Sequence, residues 1–139
     1  MFSYQHQIFF GDCDPAGIMF YPHHFRLMDA TFQAWLASIG LSQAKLQKEF
    51  GIIGTGLLDA SATFQAPVRE GDTLKLKLTI GKWSGKSVQV DYKGFVGDTF
   101  AIEGKEVRGL FNQGMNGLKL SSIESFRNLI VERGNDGQD

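Results

Sequence analysis

The 139-residue chain contains one cysteine, three prolines and no long apolar run, and each scarcity excludes a class of protein. A single cysteine, Cys13, permits no internal disulfide, which favours a reducing, cytoplasmic environment. No stretch approaches the roughly 18 consecutive apolar residues that a membrane-spanning helix needs. The first residues lack the cationic and apolar segments of a secretory signal. We therefore expect a cytoplasmic protein without a membrane span.

The chain also lacks a surplus of either charge, since its formal net charge is −1 at pH 7. Proteins that bind nucleic acid normally carry a basic surplus, so we expect no nucleic-acid partner. The composition is 42% hydrophobic and 21% charged, which is ordinary for a folded protein. The length predicts a single domain over residues 1–139, in which the polar, glycine-containing stretch 133–139 forms a flexible tail.

The strongest periodic signal predicts a long helix that begins at Pro22 and ends at Gly40. Apolar side chains recur there at steps of three and four residues, and several alanines widen the apolar surface to most faces of the helix. Such a helix is expected to be buried. Ser42 predicts the cap of a short second helix through Phe50. A terminal helix is expected over residues 121–132.

The remaining segments alternate in the manner of β-strands, with glycine-containing turns between them. Strands are predicted over residues 4–10, 56–64, 73–83, 87–96 and 99–112. Because the later connections are short, these strands should be consecutive antiparallel neighbours. The predicted class is α+β, an antiparallel sheet wrapped around a long central helix. The open edges of such a sheet favour a homodimer. Association of two dimers into a homotetramer is an alternative that the sequence does not decide.

A carboxylate lies close to the predicted start of the long helix. Asp14 precedes Pro15, which biases Asp14 towards an extended conformation and fixes the direction of its side chain. A carboxylate beside a helix N-terminus offers two parts needed for acyl transfer, namely an attacking group or base and a positive site for a developing oxyanion. Asp14 fits equally well as a residue that shapes a turn before proline.

Residues 11–18, Gly-Asp-Cys-Asp-Pro-Ala-Gly-Ile, followed by Tyr21-Pro22, resemble the 4-hydroxybenzoyl-CoA thioesterase family of hotdog-fold enzymes. The resemblance continues more loosely through residues 51–55, 60–64 and 82–87. It implies a hotdog fold and hydrolysis of an aromatic, hydroxybenzoyl-type, or short-chain acyl-CoA to the free acid and CoA. Coenzyme A is then part of the substrate, and no separate cofactor or metal is expected.

The resemblance implies a catalytic role for Asp14 as nucleophile or general base, and for the Tyr21 N–H as donor to the oxyanion. Gly17 would let the loop backbone approach the acyl group closely. Among the residues after the loop, Phe20 and His24 are candidates to line the acyl pocket.

Cations should meet the phosphates of coenzyme A at the mouth of the pocket. Lys86 and Ser87 match positions where the resemblance implies pantetheine or nucleotide contacts. Lys119, which follows the last predicted strand, is a further candidate for phosphate, although a solvated surface lysine is the simpler interpretation.

Other side chains near the loop offer competing chemistry. Asp12 together with Asp14 could bind a divalent cation, but without a third ligand at a suitable spacing Asp12 is better explained as a hydrogen-bonding support for the loop. Cys13 lies between two acids that disfavour a thiolate, so we expect a small buried packing residue. Asp29, on the long helix, is the chief rival to Asp14 because other hotdog branches use an acid on this helix.

Three other functions remain in view. A thioesterase acting on acyl carrier protein would need a basic docking surface. A non-catalytic acyl-CoA-binding or scaffold protein could keep the same fold. A hotdog dehydratase fits least, because its histidine base placed against an acid is not matched by His23 or His24.

Overall fold

An antiparallel sheet of six strands and three α-helices make up the part of the chain that the computed structural model describes, residues 1–133. None of these helices is long and apolar enough to cross a membrane. In chain order the elements are β1 (Phe2–Gln7), α1 (Tyr21–Ser38), α2 (Gln43–Phe50), β2 (Gly54–Phe64), β3 (Thr73–Trp83), β4 (Val88–Val96), β5 (Thr99–Gly114), β6 (Gly117–Ser121) and α3 (Glu124–Glu132).

The strand order is β1-β3-β4-β5-β2, with β6 paired to β5. The expectation that all strands are consecutive neighbours is therefore wrong for β2, which pairs with β5 and not with β3. The reason is that β1 occupies the outer edge of β3, with Phe2 opposite Leu78, so that β2 finds its partner at the other side of the sheet. As a result β2 forms one edge of the sheet.

The end of the chain also departs from the prediction. Residues 117–121 form β6, which extends the sheet beside the last part of β5, and α3 begins only at Glu124. Lys119 thus lies within a strand, opposite Asn112, rather than after the last strand. Arg133, the first residue of the predicted tail, donates a hydrogen bond to the Ile39 carbonyl at 2.8 Å. Residues 134–139 of the predicted tail lie outside the described residues.

One face of α1 packs against the sheet. The buried positions recur at helical spacing, so the prediction of a helix buried on most faces is too broad. Gly104 of β5 leaves room for the Met28 side chain of the helix, since a Cβ on Gly104 would lie 2.7 Å from Met28 Sδ. The buried residues of α1 are His24, Leu27, Met28, Thr31, Phe32, Trp35 and Leu36.

The strands meet α1 with alternating side chains. In β3 every second residue is buried, from Leu74 through Leu76 and Leu78 to Ile80, as a half-covered strand requires. The capping prediction for α2 is confirmed, because Ser42 Oγ accepts the Lys45 N–H at 3.2 Å. Gly51 ends that helix with a positive φ of 66°.

A charged group is buried in this otherwise apolar interface. Arg108 on β5 donates from Nε to Glu106 at 2.9 Å and from a terminal nitrogen to Asp29 of α1 at 2.8 Å. Its guanidinium lies 3.9 Å from the centre of the Phe32 ring. Tyr92 donates its hydroxyl proton to Glu106 at 2.6 Å. This network, Tyr92–Glu106–Arg108–Asp29, ties β4 and β5 to α1.

The ionisation of the network follows from its surroundings. Burial raises the pKa of Tyr92 well above its ordinary value, and the Glu106 carboxylate adds to that effect. Burial alone would lower the pKa of Arg108, but the neighbouring Glu106 charge outweighs it and raises that pKa. The arginine therefore stays charged, and it depends on its partners for stability.

We expect Glu106→Leu to lower the free energy of unfolding by about 3–5 kcal/mol, because it leaves a buried guanidinium without its buried partner. The double variant Glu106→Leu/Arg108→Met should be closer to wild type than this single variant, since the uncompensated charge is gone. Urea unfolding followed by circular dichroism measures both.

The matched control is Lys45→Ala, which removes an exposed pair with Glu49 at 4.0 Å and should change stability by less than about 1 kcal/mol. The comparison also needs the single variant Arg108→Met. If Glu106→Leu/Arg108→Met lost as much stability as Glu106→Leu and Arg108→Met added together, the explanation by an unpaired buried charge would be rejected.

Candidate active site

The loop that carries Asp14 is fastened to the start of α1 by backbone pairing. A single 3-10 turn at Phe10–Asp12 reverses the chain, and Cys13 then pairs with Met19 as an isolated antiparallel bridge. The Phe20 N–H donates to the Asp12 carbonyl at 2.9 Å, and Met19 donates to Val68 at 2.7 Å. The segment before the helix is thereby held between the loop and the chain that enters β3.

Asp12 supports this turn with both carboxylate oxygens. Oδ2 accepts the Phe9 N–H at 2.9 Å, and Oδ1 pairs with Arg26 at 3.3 Å. The interpretation of Asp12 as a hydrogen-bonding support is confirmed. In residues 1–133 no group of three His, Cys, Asp or Glu side chains is placed to hold a metal ion. Cys13 is half-buried and packs against the core.

Asp14 lies half-buried in a tight turn that fixes its carboxylate. Its N–H donates to the Ile18 carbonyl, and its carbonyl accepts the Gly17 N–H, both at 2.9 Å. Gly17 has a φ of +82°, a conformation that glycine adopts without strain. Oδ1 accepts the Ala16 N–H at 2.9 Å, while Oδ2 has no hydrogen-bond partner among the described residues. One carboxylate oxygen is therefore positioned by the backbone and the other is available.

The N-terminus of α1 is left without a side-chain cap. The helix begins at Tyr21, so Pro22 is its second residue and not, as predicted, its first. The N-cap residue Phe20 makes no side-chain hydrogen bond to the helix. No acidic residue lies in the first turn. The backbone hydrogen bonds of residues 1–133 include no acceptor for the Tyr21 N–H. The positive end of the helix dipole is thus available to an anion.

A cavity of about 340 Å³ opens beside this helix start. Ile18, Met19, Tyr21 and His24 line one side, and residues 64–68 line the other. Most of these side chains are apolar. Tyr21 and His24 are the predicted site residues that the structure brings to this cavity. Phe20 is not among the lining residues, and its ring centre lies 5.5 Å from that of Tyr21 and 5.9 Å from that of His23.

His24 is the polar exception in the buried part of this lining. Its side chain is only 6% exposed, and its ring meets Phe64 edge-on with centres 4.8 Å apart. Nδ1 is buried and has no hydrogen-bond partner in the described part of the chain. Burial lowers the pKa of His24 to about 4, with a further contribution from the adjacent His23. The imidazole is accordingly neutral at pH 7.

Asp29, the rival acid, is committed to another partner. Its Oδ1 accepts from Arg108 at 2.8 Å and from Gln33 at 3.2 Å, and its side chain is 48% exposed. Like Asp14, it is not among the residues that line the cavity beside Tyr21. Asp29 therefore belongs to the buried charge network and not to the Asp14 loop.

The residues predicted to contact coenzyme A lie at the opposite end of the sheet from Asp14. The loop reaches the chain just before β3, where Ile18 pairs with Arg69, whereas Lys86 and Ser87 lie in the turn just after β3. Eleven residues of strand separate the two, which is roughly 35 Å. Lys119 lies at the same distant end of the sheet. Its neighbour Leu120 and the Lys86 carbonyl both lie close to Gly109, where a Cβ would contact each of them.

The second side of the cavity, residues 64–68, was missed by sequence reasoning. This connection shows no regular spacing of apolar residues, and Pro67 is the one residue in it that is typical of a turn. Its position depends on long-range pairing, since Gln65 and Ala66 both donate to the Ala101 carbonyl. The Asp29–Arg108 contact was missed for the same reason, because 79 positions separate the two residues in the chain.

Comparison with known proteins agrees with this architecture. The thioesterase-like superfamily matches residues 8–116. The chain is 36% identical over 84 residues to 4-hydroxybenzoyl-CoA thioesterase of Pseudomonas sp. strain CBS-3, a match that spans 60% of each chain. It is 30% identical over 92 residues to 1,4-dihydroxy-2-naphthoyl-CoA hydrolase of Synechocystis sp., spanning 66% of each.

The solved structure of the Pseudomonas thioesterase superposes with a TM-score of 0.84 at 27% identity, covering 92% of this chain and 97% of that one. The predicted α+β hotdog fold is confirmed by this likeness. With its sequence match and its fold in agreement, the chain belongs to the thioesterase-like superfamily.

Proposed function

We propose that the protein hydrolyses an aromatic or short-chain acyl-CoA thioester to the free acid and CoA, with Asp14 and the Tyr21 N–H as its reacting groups. The observation that carries the proposal is the pairing of a fixed carboxylate with an uncapped helix N-terminus. Asp14 keeps one oxygen free, and the loop that holds it is hydrogen-bonded to the residue before α1.

Two routes are open to this carboxylate. Asp14 attacks the thioester carbon, CoA leaves as its thiolate, and water then hydrolyses the mixed anhydride to the acid and free Asp14. Alternatively, Asp14 takes a proton from a water that attacks the same carbon, and the thiolate leaves from the tetrahedral intermediate. In both routes negative charge develops on the carbonyl oxygen, and the Tyr21 N–H with the helix dipole stabilises it.

The cavity beside Tyr21 favours an apolar acyl group. Its lining is mostly aliphatic and aromatic, and its volume of about 340 Å³ accommodates a benzoyl-sized group. The two relatives in sequence are named for aromatic CoA thioesters, a hydroxybenzoyl and a dihydroxynaphthoyl ester. An aromatic acyl group is therefore our first choice of substrate.

The edge of the sheet supports a homodimer. β2 is an eleven-residue edge strand, and Leu57 and Leu58 on it are 49% and 44% exposed. A long edge strand with exposed leucines is a template for pairing with another chain. A two-fold antiparallel pairing of β2 with its copy would form one continuous sheet across both subunits.

Such a dimer would also complete the site. Antiparallel pairing places the Phe64 end of β2 beside the Gly54 end of the partner's β2. The Asp14 loop lies near the first of these ends, and Lys86, Ser87 and Lys119 lie towards the second. We infer that these three residues contact the CoA held by the neighbouring subunit's Asp14 loop, which explains their separation within one chain.

Asp14→Asn should lower kcat by about 10²–10⁴-fold, because the amide can neither attack nor accept a proton from water. Steady-state release of CoA from benzoyl-, hydroxybenzoyl-, phenylacetyl- and short aliphatic-CoA measures this loss. A carrier-protein thioester of the same acyl group tests whether CoA is the preferred carrier.

Asp29→Asn serves as the comparison for the rival acid and should retain far more turnover than Asp14→Asn. Wild-type turnover by a folded Asp14→Asn variant would overturn the assignment. Measurable binding of acyl-CoA without hydrolysis of any ester by the wild type would instead indicate a binding protein.

Leu57→Lys should convert the dimer to a monomer, because a two-fold interface brings the two new charges towards each other. Analytical ultracentrifugation should give about twice 15.4 kDa for the wild type and 15.4 kDa for the variant. Met115→Lys, at a fully exposed turn, is the control and should leave the mass unchanged. A monomeric wild type with full activity would exclude the shared site.

A further inference from the structure

His24 is a buried histidine in the lining of the cavity beside Tyr21. The residue is 6% exposed, and its ring forms part of the cavity lining with Tyr21. Nδ1 is enclosed and without a partner, while no hydrogen bond joins Nε2 to any described residue. Nδ1 is the enclosed nitrogen, and His24 is one of the residues that line the cavity, so we infer that Nε2 is the nitrogen that faces it.

The enclosed Nδ1 determines which tautomer is favourable. A neutral imidazole carries its proton on one nitrogen and a lone pair on the other. A proton on Nδ1 would be a buried donor without an acceptor, which is costly. Placing the proton on Nε2 leaves only a lone pair buried and turns the N–H towards the cavity.

The second free donor of the same cavity is the Tyr21 N–H. Tyr21 and His24 are three residues apart on α1 and therefore lie on the same face. Helical side chains lean towards the N-terminal turn, which brings the His24 ring towards Tyr21. Two residues that each carry an N–H group without an acceptor thus line one side of a single cavity.

We propose that His24 is a second donor to the thioester carbonyl oxygen, so that its Nε2–H and the Tyr21 N–H together form the oxyanion site. This inference rests on the proposed function and extends it by one catalytic residue. The two N–H groups donate hydrogen bonds to the carbonyl oxygen, and the acyl group enters the apolar part of the cavity. Asp14, or the water that it activates, approaches the thioester carbon.

A neutral imidazole suits this role. Burial and the nearby His23 keep the ring uncharged over the pH range of ordinary assays. An uncharged donor stabilises a developing oxyanion without binding the carboxylate product tightly, because it carries no net charge when the product forms. Phe64, edge-on to the ring, fixes its orientation.

His24→Phe is the direct test, because phenylalanine keeps the ring and its contact with Phe64 but removes the donor. We expect kcat/KM to fall about 10²–10³-fold, mostly through kcat, and by a similar factor for every acyl-CoA tested. His24→Gln restores an N–H donor and should recover at least tenfold of that loss. Thermal unfolding shows whether each variant is folded.

His23→Phe is the matched control, since His23 is the neighbouring histidine and packs on Phe20 outside the cavity. It should change kcat/KM by less than about threefold. A loss confined to hydroxylated acyl groups would overturn the proposal and make His24 a contact to a substituent. Unchanged kinetics in a folded His24→Phe variant would also overturn it.

A measurement independent of activity separates this inference from the proposed function. Long-range ¹H–¹⁵N correlation spectra of the wild type at pH 7 should show His24 with its proton on Nε2, and no titration above about pH 5. A proton on Nδ1, or titration near the ordinary histidine pKa, would reject the donor role even in an active enzyme. If the wild type hydrolyses no thioester, the proposed function fails and this inference fails with it.

Discussion

The packing of α1 on the sheet is the constraint on which the rest of the structure depends. Gly104 of β5 leaves room for the Met28 side chain of the helix, which would have to shift if Gly104 carried a Cβ. Once the helix axis is fixed against the sheet, the position of its first residue, Tyr21, is fixed as well. The hydrogen bond from the Phe20 N–H to the Asp12 carbonyl then fixes the loop relative to Tyr21. The geometry of the proposed site is therefore set by core packing, although the loop itself lies at the surface.

The buried charge network controls a second degree of freedom, the rotation of α1 about its own axis. An apolar interface alone tolerates small rotations, whereas the Arg108–Asp29 bond at 2.8 Å requires one face of the helix to meet β5. Glu106 and Tyr92 hold the guanidinium in place from the sheet side. A buried ion pair contributes little net stability relative to apolar residues, so specificity of orientation is the better explanation for its presence.

Features set by local sequence were predictable, and features set by distant pairing were not. The period of α1, the Ser42 cap and the turn before Pro15 are each determined within a few residues. The placement of β2 beside β5 depends on β1 having taken the edge of β3, which no window of sequence shows. Residues 64–68 line the cavity only because they bond to Ala101. The distant position of Lys86 likewise follows from strand length and order rather than from its motif.

The uncapped start of α1 connects stability with function. A helix usually has a Ser, Thr, Asp or Asn at this position, and replacing such a cap with alanine costs about 1 kcal/mol. Here Phe20 occupies the cap position. Asp14, the nearby carboxylate, is bonded to the Ala16 N–H instead of to the helix. Had Asp14 capped α1, its charge would have filled the site proposed for the substrate oxyanion, and the oxygen proposed to react would have been hydrogen-bonded to the helix. The tight turn at Gly17 keeps the carboxylate and the helix N-terminus close to each other yet separately available.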